Sequence, residues 1–381
     1  MSVDSILKKE GISIVRKLDT LEVNRIAKNI SDKISKSFSE YLMNYDDLFS
    51  LISRINMYLA QMPSDSASAK YLYTNNSIYF NENIDLSISE NSIFALHECI
   101  HFLQVQKNKY GKLTRLGLYE LGNWGTAINE AAVQLMASTA QGIDFETCKY
   151  YDIYINTISP DCYPLQCALL TEMLYFTGTY PLYQSTLNSN DIFKNTFISC
   201  SNKKTYDRIE INLDKLLKLE DDLYYFSMEL LNAEKQKDIT LLNRLIANRK
   251  NAIKKVFFDT QNLIIQSCFT HEFNTISTLE DVKEFQNKLY NFKDILCYSD
   301  DYNFYNEFYC NTMIALESVR ELLEANGNMV EYRNINQSLA IIDNSLSFIK
   351  LFKKFIQKVK KLFYINKENI EKNYAKYSDN K

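Results

Sequence analysis

The chain has 381 residues, 46 % hydrophobic and 24 % charged, with a formal net charge of −4. That balance excludes a disordered or fibrous chain and leaves room for one large domain or two ordinary ones. The weakly negative charge, with no arginine-rich stripe, argues against a nucleic-acid partner, and 8 glycines and 4 prolines are too few breakers for many short strands, so the fold class leans to long helices.

Residues 1–60 read mostly as amphipathic helix, with Leu21, Val23, Ile26, Ile30, Ile34 and Phe38 near helical spacing. The first twenty residues lack the apolar stretch of a secretory signal, and no run of 18 apolar residues occurs, so the expected compartment is the cytoplasm with no stable membrane insertion. The polar break "QMPSDSASAK" leads to "YLYTNNSIYFNENIDLS", whose aromatic and β-branched residues around Asn75-Asn76 predict a hairpin or two short strands. Ser87-x-x-Glu90 matches a capping box, and Ile93, Leu96, Ile100 and Leu103 then recur at helical spacing, with Gly111 as the expected end.

"LTRLGLYELGNWG" reads as a Gly-containing connection to a second helix, "TAINEAAVQLMASTA", closed by Gly142. A third helix starts at Pro164 and breaks at "TGTYP". Beyond residue 205 nearly everything is long and helical, ending in a lysine-studded amphipathic segment that reads as a docked terminal helix or a membrane-surface one. We expect a division near residue 200, with domains 1–200 and 201–381. Eight cysteines without a CxxC pair read as reduced thiols.

The chemistry concentrates in "HECIHFLQ", residues 97–104, which uses two of only three histidines. On a helix, i and i+4 project from one face, so His97 and His101 can each bring an imidazole nitrogen to one metal ion. Glu98, rotated by about 100° around the axis, flanks that ion, where a carboxylate can accept a proton from water. A catalytic zinc site wants a third protein ligand and an open fourth position. Glu130 in "INEAAVQL", 29 residues after His101 on the next helix, is favoured. Glu120 in "LYELGNW" and His271 in "SCFTHEFNT" are the alternatives.

HECIH followed by NEAAVQL resembles the gluzincin class of zinc metallopeptidases, and "HECIHFLQ" with "GTAINEAAVQLMA" is similar to uncharacterised gluzincin-like proteins of low-GC Gram-positive bacteria. The resemblance covers about residues 70–185. It implies a zincin-like α+β catalytic domain, mainly α, with a small sheet or hairpin before the HExxH helix. It also implies one Zn²⁺ per chain on His97, His101 and Glu130, with Glu98 as general base. Many gluzincins place an acidic residue four positions after the ligand glutamate to orient a histidine. Here Gln134 stands there, an amide that can still accept that hydrogen bond.

The expected activity is zinc-dependent hydrolysis of peptide bonds in a protein or peptide substrate, which would align along the strand pair by β-addition. Tyr163, Tyr180, Tyr183 and His271 are candidate donors to the developing oxyanion. The alternative is a non-enzymatic helical interaction protein that keeps a structural or regulatory zinc. A narrower variant of the first reading is a toxin-like peptidase, or one that cleaves a repressor within its own cell.

Overall fold

Met57, Leu59, Ile78 and Phe80 pack on one side of a sheet, while Tyr58, Ala60 and Tyr79 pack on the other. This two-residue alternation is what a strand imposes on its side chains. A computed structural model describes residues 3–40, 44–63, 68–88, 91–233 and 236–325. In chain order α1 (Val3–Lys9), β1 (Ser13–Lys17), α2 (Thr20–Phe38), α3 (Tyr45–Ile52), β2 (Asn56–Gln61), β3 (Ala69–Leu72), β4 (Ser77–Asn81) and α4 (Ser92–Leu103) come first. The sheet runs β1-β2-β4-β3, antiparallel except where β2 lies parallel to β4, so that β3 is an edge strand.

The strand pair expected around Asn75-Asn76 is β3 and β4, joined by a turn in which Asn76 is left-handed (φ 57°). The expectation that residues 1–60 are mostly helix holds for α1, α2 and α3 and needs correction at β1 and β2, which are strands. The longest of these helices, α2, begins where Asp19 and Glu22 form a capping box. "SIVRK" and "NMYLAQ" are too short to state a period of their own, and their pairing across the sheet decides their state.

β5 (Val105–Lys107), β6 (Leu113–Leu116) and β7 (Tyr119–Glu120) follow as a small antiparallel sheet where a plain connection was expected. α4 therefore ends at Leu103, well before Gly111. The expected capping box falls on Glu90, outside the described residues; the helix starts after Asn91, which makes no side-chain cap bond. Next come α5 (Thr126–Gln141), the hairpin β8 (Glu146–Tyr150) and β9 (Ile153–Thr157), then α6 (Pro164–Thr177), α7 (Tyr180–Asn188), α8 (Ile192–Cys200) and α9 (Lys203–Leu231). α5 closes on left-handed Gly142, as expected.

α5 is the hub of these helices, in contact with α2, α4, α6, α7 and α9. Its alanines explain this, since small side chains let several helices approach one axis, and a helix buried nearly all round needs no polar face. α2, α4 and α5 share one core with the inner face of the sheet, through Ile30, Ile34, Leu96, Ile100, Val133 and Met136.

α10 (Gln236–Phe273), α11 (Leu279–Asn291) and α12 (Phe304–Ala325) complete the described chain. It divides into two compact units, Met1–Cys268 with Ile295–Asp300, and Phe269–Asp294 with the chain from Asp301. The expected boundary near residue 200 lies within the first unit, because α9 packs on α5, α6 and α8. The second unit is held by an aromatic cluster in which Phe269 meets Phe285, Phe292 and Phe308 at 5.9, 5.4 and 6.1 Å between ring centroids. The architecture is mainly helical α+β, and among the described residues no helix is long and apolar enough to cross a membrane. The eight cysteines are thiols. The lysine-rich C-terminal segment lies outside the described residues.

Candidate metal centre

α4 carries His97, Glu98 and His101, and its buried face, Leu96, Cys99 and Ile100, is locked into the core, so the opposite face must carry the histidines. α5 packs beside it and presents Glu130 one turn from its start. The three ligand atoms converge. His97 Nε2 and His101 Nε2 are 3.0 Å apart, and Glu130 Oε2 lies 3.3 and 3.2 Å from them. Ligands at about 2.0–2.1 Å around a tetrahedral ion stand about 3.3 Å apart, so this group could hold one metal ion.

The other nitrogen of each ring faces an amide. His97 Nδ1 is 2.8 Å from Gln134 Oε1, and His101 Nδ1 is 3.1 Å from Gln104 Oε1. With both ring protons on Nδ1, two Nε2 lone pairs and a carboxylate oxygen face one point, and only a cation or an extra proton relieves their repulsion. The same preference appears in the titration. Burial opposes a charge on His101, but the adjoining Glu130 carboxylate raises its pKa to about 9. Burial likewise works against a charged Glu130, yet His101 and His97 hold its carboxyl well below the usual range.

Glu98 points to the sheet edge, where its Oε2 accepts the Tyr71 N–H at 2.7 Å. Tyr71 therefore turns its N–H away from β4, and Ala69, two residues earlier, shares that outward face, while Ser68 between strands accepts the Asn81 N–H. The edge of β3, the α4 face and Tyr163 line a cleft of about 730 Å³.

Of the candidate oxyanion donors, Tyr163 is the one in this cleft. Its ring stacks on His97 at 6.2 Å between centroids. Burial, with the Glu130 and Glu98 carboxylates adding, keeps the phenol well above the usual tyrosine range, so the hydroxyl stays a donor. Its backbone is left-handed (φ 51°, ψ 41°) just before Pro164, a costly conformation for a bulky residue, held where α6 begins.

The remaining candidates lie elsewhere. Tyr180 is exposed at the start of α7, and Tyr183 packs edge-on against Phe38 at 4.9 Å. Glu120, the alternative ligand, is on the exposed strand β7, where it accepts from Asn123 Nδ2 at 2.9 Å. His271 is on the last turn of α10, in the second unit.

Three supports were not legible in the sequence. α5 begins at left-handed Gly125 with no side-chain cap of its own; Asp214 of α9 accepts the Gly125 and Ala127 N–H groups at 2.9 and 2.7 Å. A carboxylate brought from another helix thus does the work of an N-cap at the end that carries Glu130. Gln104 is buried behind His101 and joined to Asn129, next to Glu130 in sequence. Gly117 has φ +54°, and a Cβ there would stand 2.2 Å from Gln104 Nε2 and 2.5 Å from Asn129 Oδ1. Only glycine fits both demands.

Comparison with family models, with curated proteins and with solved structures finds no match for this chain.

Proposed function

We propose that this protein is a zinc-dependent metallopeptidase of the gluzincin kind, with a zincin-like catalytic arrangement, acting on an extended segment of a protein or peptide. The observation that carries the reading is the convergence of His97 Nε2, His101 Nε2 and Glu130 Oε2 within 3.0–3.3 Å, in a cleft walled in part by the edge strand β3. Two imidazoles and one carboxylate suit Zn²⁺, and three protein donors leave a position open towards substrate. A structural zinc would want a fourth protein ligand, and among the described residues only these three form such a group.

When bound, Zn²⁺ would act as a Lewis acid, acidifying water and polarising a carbonyl. The chain's own residues would do the rest. Among the described residues nothing pairs with the outward groups of Ala69 or with the Tyr71 carbonyl, and these would align an extended peptide by β-addition. Glu98, beside the metal ligands and tethered to the same strand, takes the proton from the attacking water and returns it to the leaving amine nitrogen. The Tyr163 hydroxyl, protonated at neutral pH, donates to the oxygen on which negative charge develops.

Glu98→Gln tests this directly. The amide can still accept the Tyr71 N–H, so the variant is expected to fold, bind one zinc per chain and lose about 10²–10⁴-fold in cleavage of a peptide library. Undiminished cleavage would overturn the role of Glu98, and a wild-type protein that binds no zinc would overturn the whole reading.

A further inference from the structure

The two histidines rest on amides, and one of those amides has its orientation dictated by the backbone. The Leu118 N–H can only donate, and it donates to Asn129 Oδ1 at 3.0 Å. Asn129 must therefore turn its carbonyl towards that point, where Gln104 Nε2 also donates at 3.2 Å. With its NH₂ turned there, Gln104 presents Oε1, which accepts from Asn129 Nδ2 at 3.4 Å and faces His101 Nδ1, so that Nδ1 must carry the ring proton. The His101 Nε2 lone pair is left facing Glu130 and His97.

The frame around this chain is equally determined. Gly117 N–H donates to Ser189 Oγ at 2.8 Å, and Ser189 Oγ donates to the Gln104 carbonyl at 2.5 Å. Gln104, Asn129 and Ser189 are all buried, so water does not compete. Behind His97, Gln134 plays the matching part, its Nε2 donating to Ser138 Oγ at 3.3 Å while Oε1 faces Nδ1.

We propose that Gln104 is a positioning residue that holds His101 in its metal-binding tautomer, and that Gln104 and Gln134 together back the metal with neutral amides, leaving the bound ion more positive than a carboxylate-backed site would. The inference rests on the metal reading above and goes beyond it. A carboxylate behind a ligating imidazole raises its basicity, so an amide orients the ring with a smaller gain in affinity.

The experiment is zinc affinity by chelator competition, together with nitrogen-15 NMR of histidine-labelled, zinc-loaded protein, which is tractable with three histidines in the chain. In the wild type both His97 and His101 are expected to carry their proton on Nδ1. Gln104→Met is expected to weaken zinc binding about 10–100-fold. It should also speed exchange of the His101 Nδ1–H while leaving that of His97 in place, a selectivity that general loosening of the fold does not produce.

Gln134→Glu, whose Ser138 neighbour can turn to donate, is expected to bind zinc about 10-fold tighter or more and to shift the His97 Nδ1–H downfield. It keeps the test decisive if Gln104→Met does not fold. Unchanged affinity in Gln134→Glu, or a folded Gln104→Met with unchanged affinity and unchanged exchange of the His101 Nδ1–H, overturns the inference while leaving the zinc site standing. A wild type that binds no zinc overturns the underlying metal reading and the inference with it.

Discussion

The interior behind the candidate metal ligands and the interior of the second unit are built from opposite materials. Gln104, Asn129, Gln134, Ser138 and Ser189 are buried and joined by hydrogen bonds in the first, whereas Phe269, Phe285, Phe292 and Phe308 pack as rings in the second. Aromatic packing stabilises through area and tolerates small rotations, while hydrogen bonds fix direction. A site that must hold three ligand atoms within a few tenths of an ångström needs the second kind.

The comparison can be broken most sharply at Phe269. Phe269→Ala is expected to destabilise the second unit by about 3–5 kcal/mol, as loss of a buried aromatic does, yet leave zinc affinity unchanged. Denaturant unfolding and chelator competition on the same variant check this, and a parallel loss of zinc binding would show that the two interiors are not independent.

A smaller effect comes from pH. Glu172, on α6, is fully buried, accepts from Gln261 Nε2 at 2.7 Å and keeps a second oxygen without a hydrogen-bond partner. Burial, only partly offset by Gln261 and Cys297, raises its pKa from an ordinary 4.5 to about 8. The folded state thus holds this proton more tightly than the unfolded chain. Its contribution is fully present below about pH 4.5 and is lost as pH rises through about 8, on the order of a few kcal/mol in total. Glu172→Gln should flatten that fall in a series of melts between pH 5 and 9, whereas an unchanged slope would assign the pH dependence elsewhere. The aromatic cluster has no such titration.

Gly117→Ala should cost about 1–3 kcal/mol, from the positive φ and from the displaced Gln104. Unlike Phe269→Ala it should also weaken zinc binding, which the same chelator assay reads. The smallest effect expected is that of Asp214→Asn, which leaves one acceptor oxygen for the two N–H groups at the start of α5 and removes the charge. We expect a loss of about 1 kcal/mol in thermal unfolding, and an unchanged midpoint would mean that the carboxylate does not hold the helix end.

Much of the site was legible because it is local. His97 and His101 share a face through the helical repeat alone, and Glu98 must flank them. α5 and α6 were readable from their composition and punctuation, with Gly142 and Pro164 where the helices end and begin. β1 and β2 were not, because five or six residues contain too little periodicity to outweigh a neighbouring helix. The hairpin β8–β9 turns on Tyr151 and Asp152, both with positive φ, a conformation their residue types do not announce. The early end of α4 followed from Gln104 turning inward and Val105 pairing with Leu116, neither of which a distant Gly111 could reveal.

The sequence by itself thus determined half of the candidate metal site, since the spacing of side chains within one helix is fixed by the backbone hydrogen bonds of that helix. Tertiary structure alone decided that Glu130 rather than Glu120 meets it, that Tyr163 reaches the cleft and that β3 is a sheet edge. It also decided that Gln104, Asn129 and Gly117 stand behind His101. These depend on how α5 packs among five helices and how strands pair across the sheet, and such contacts between residues far apart in the chain leave no periodic trace in it.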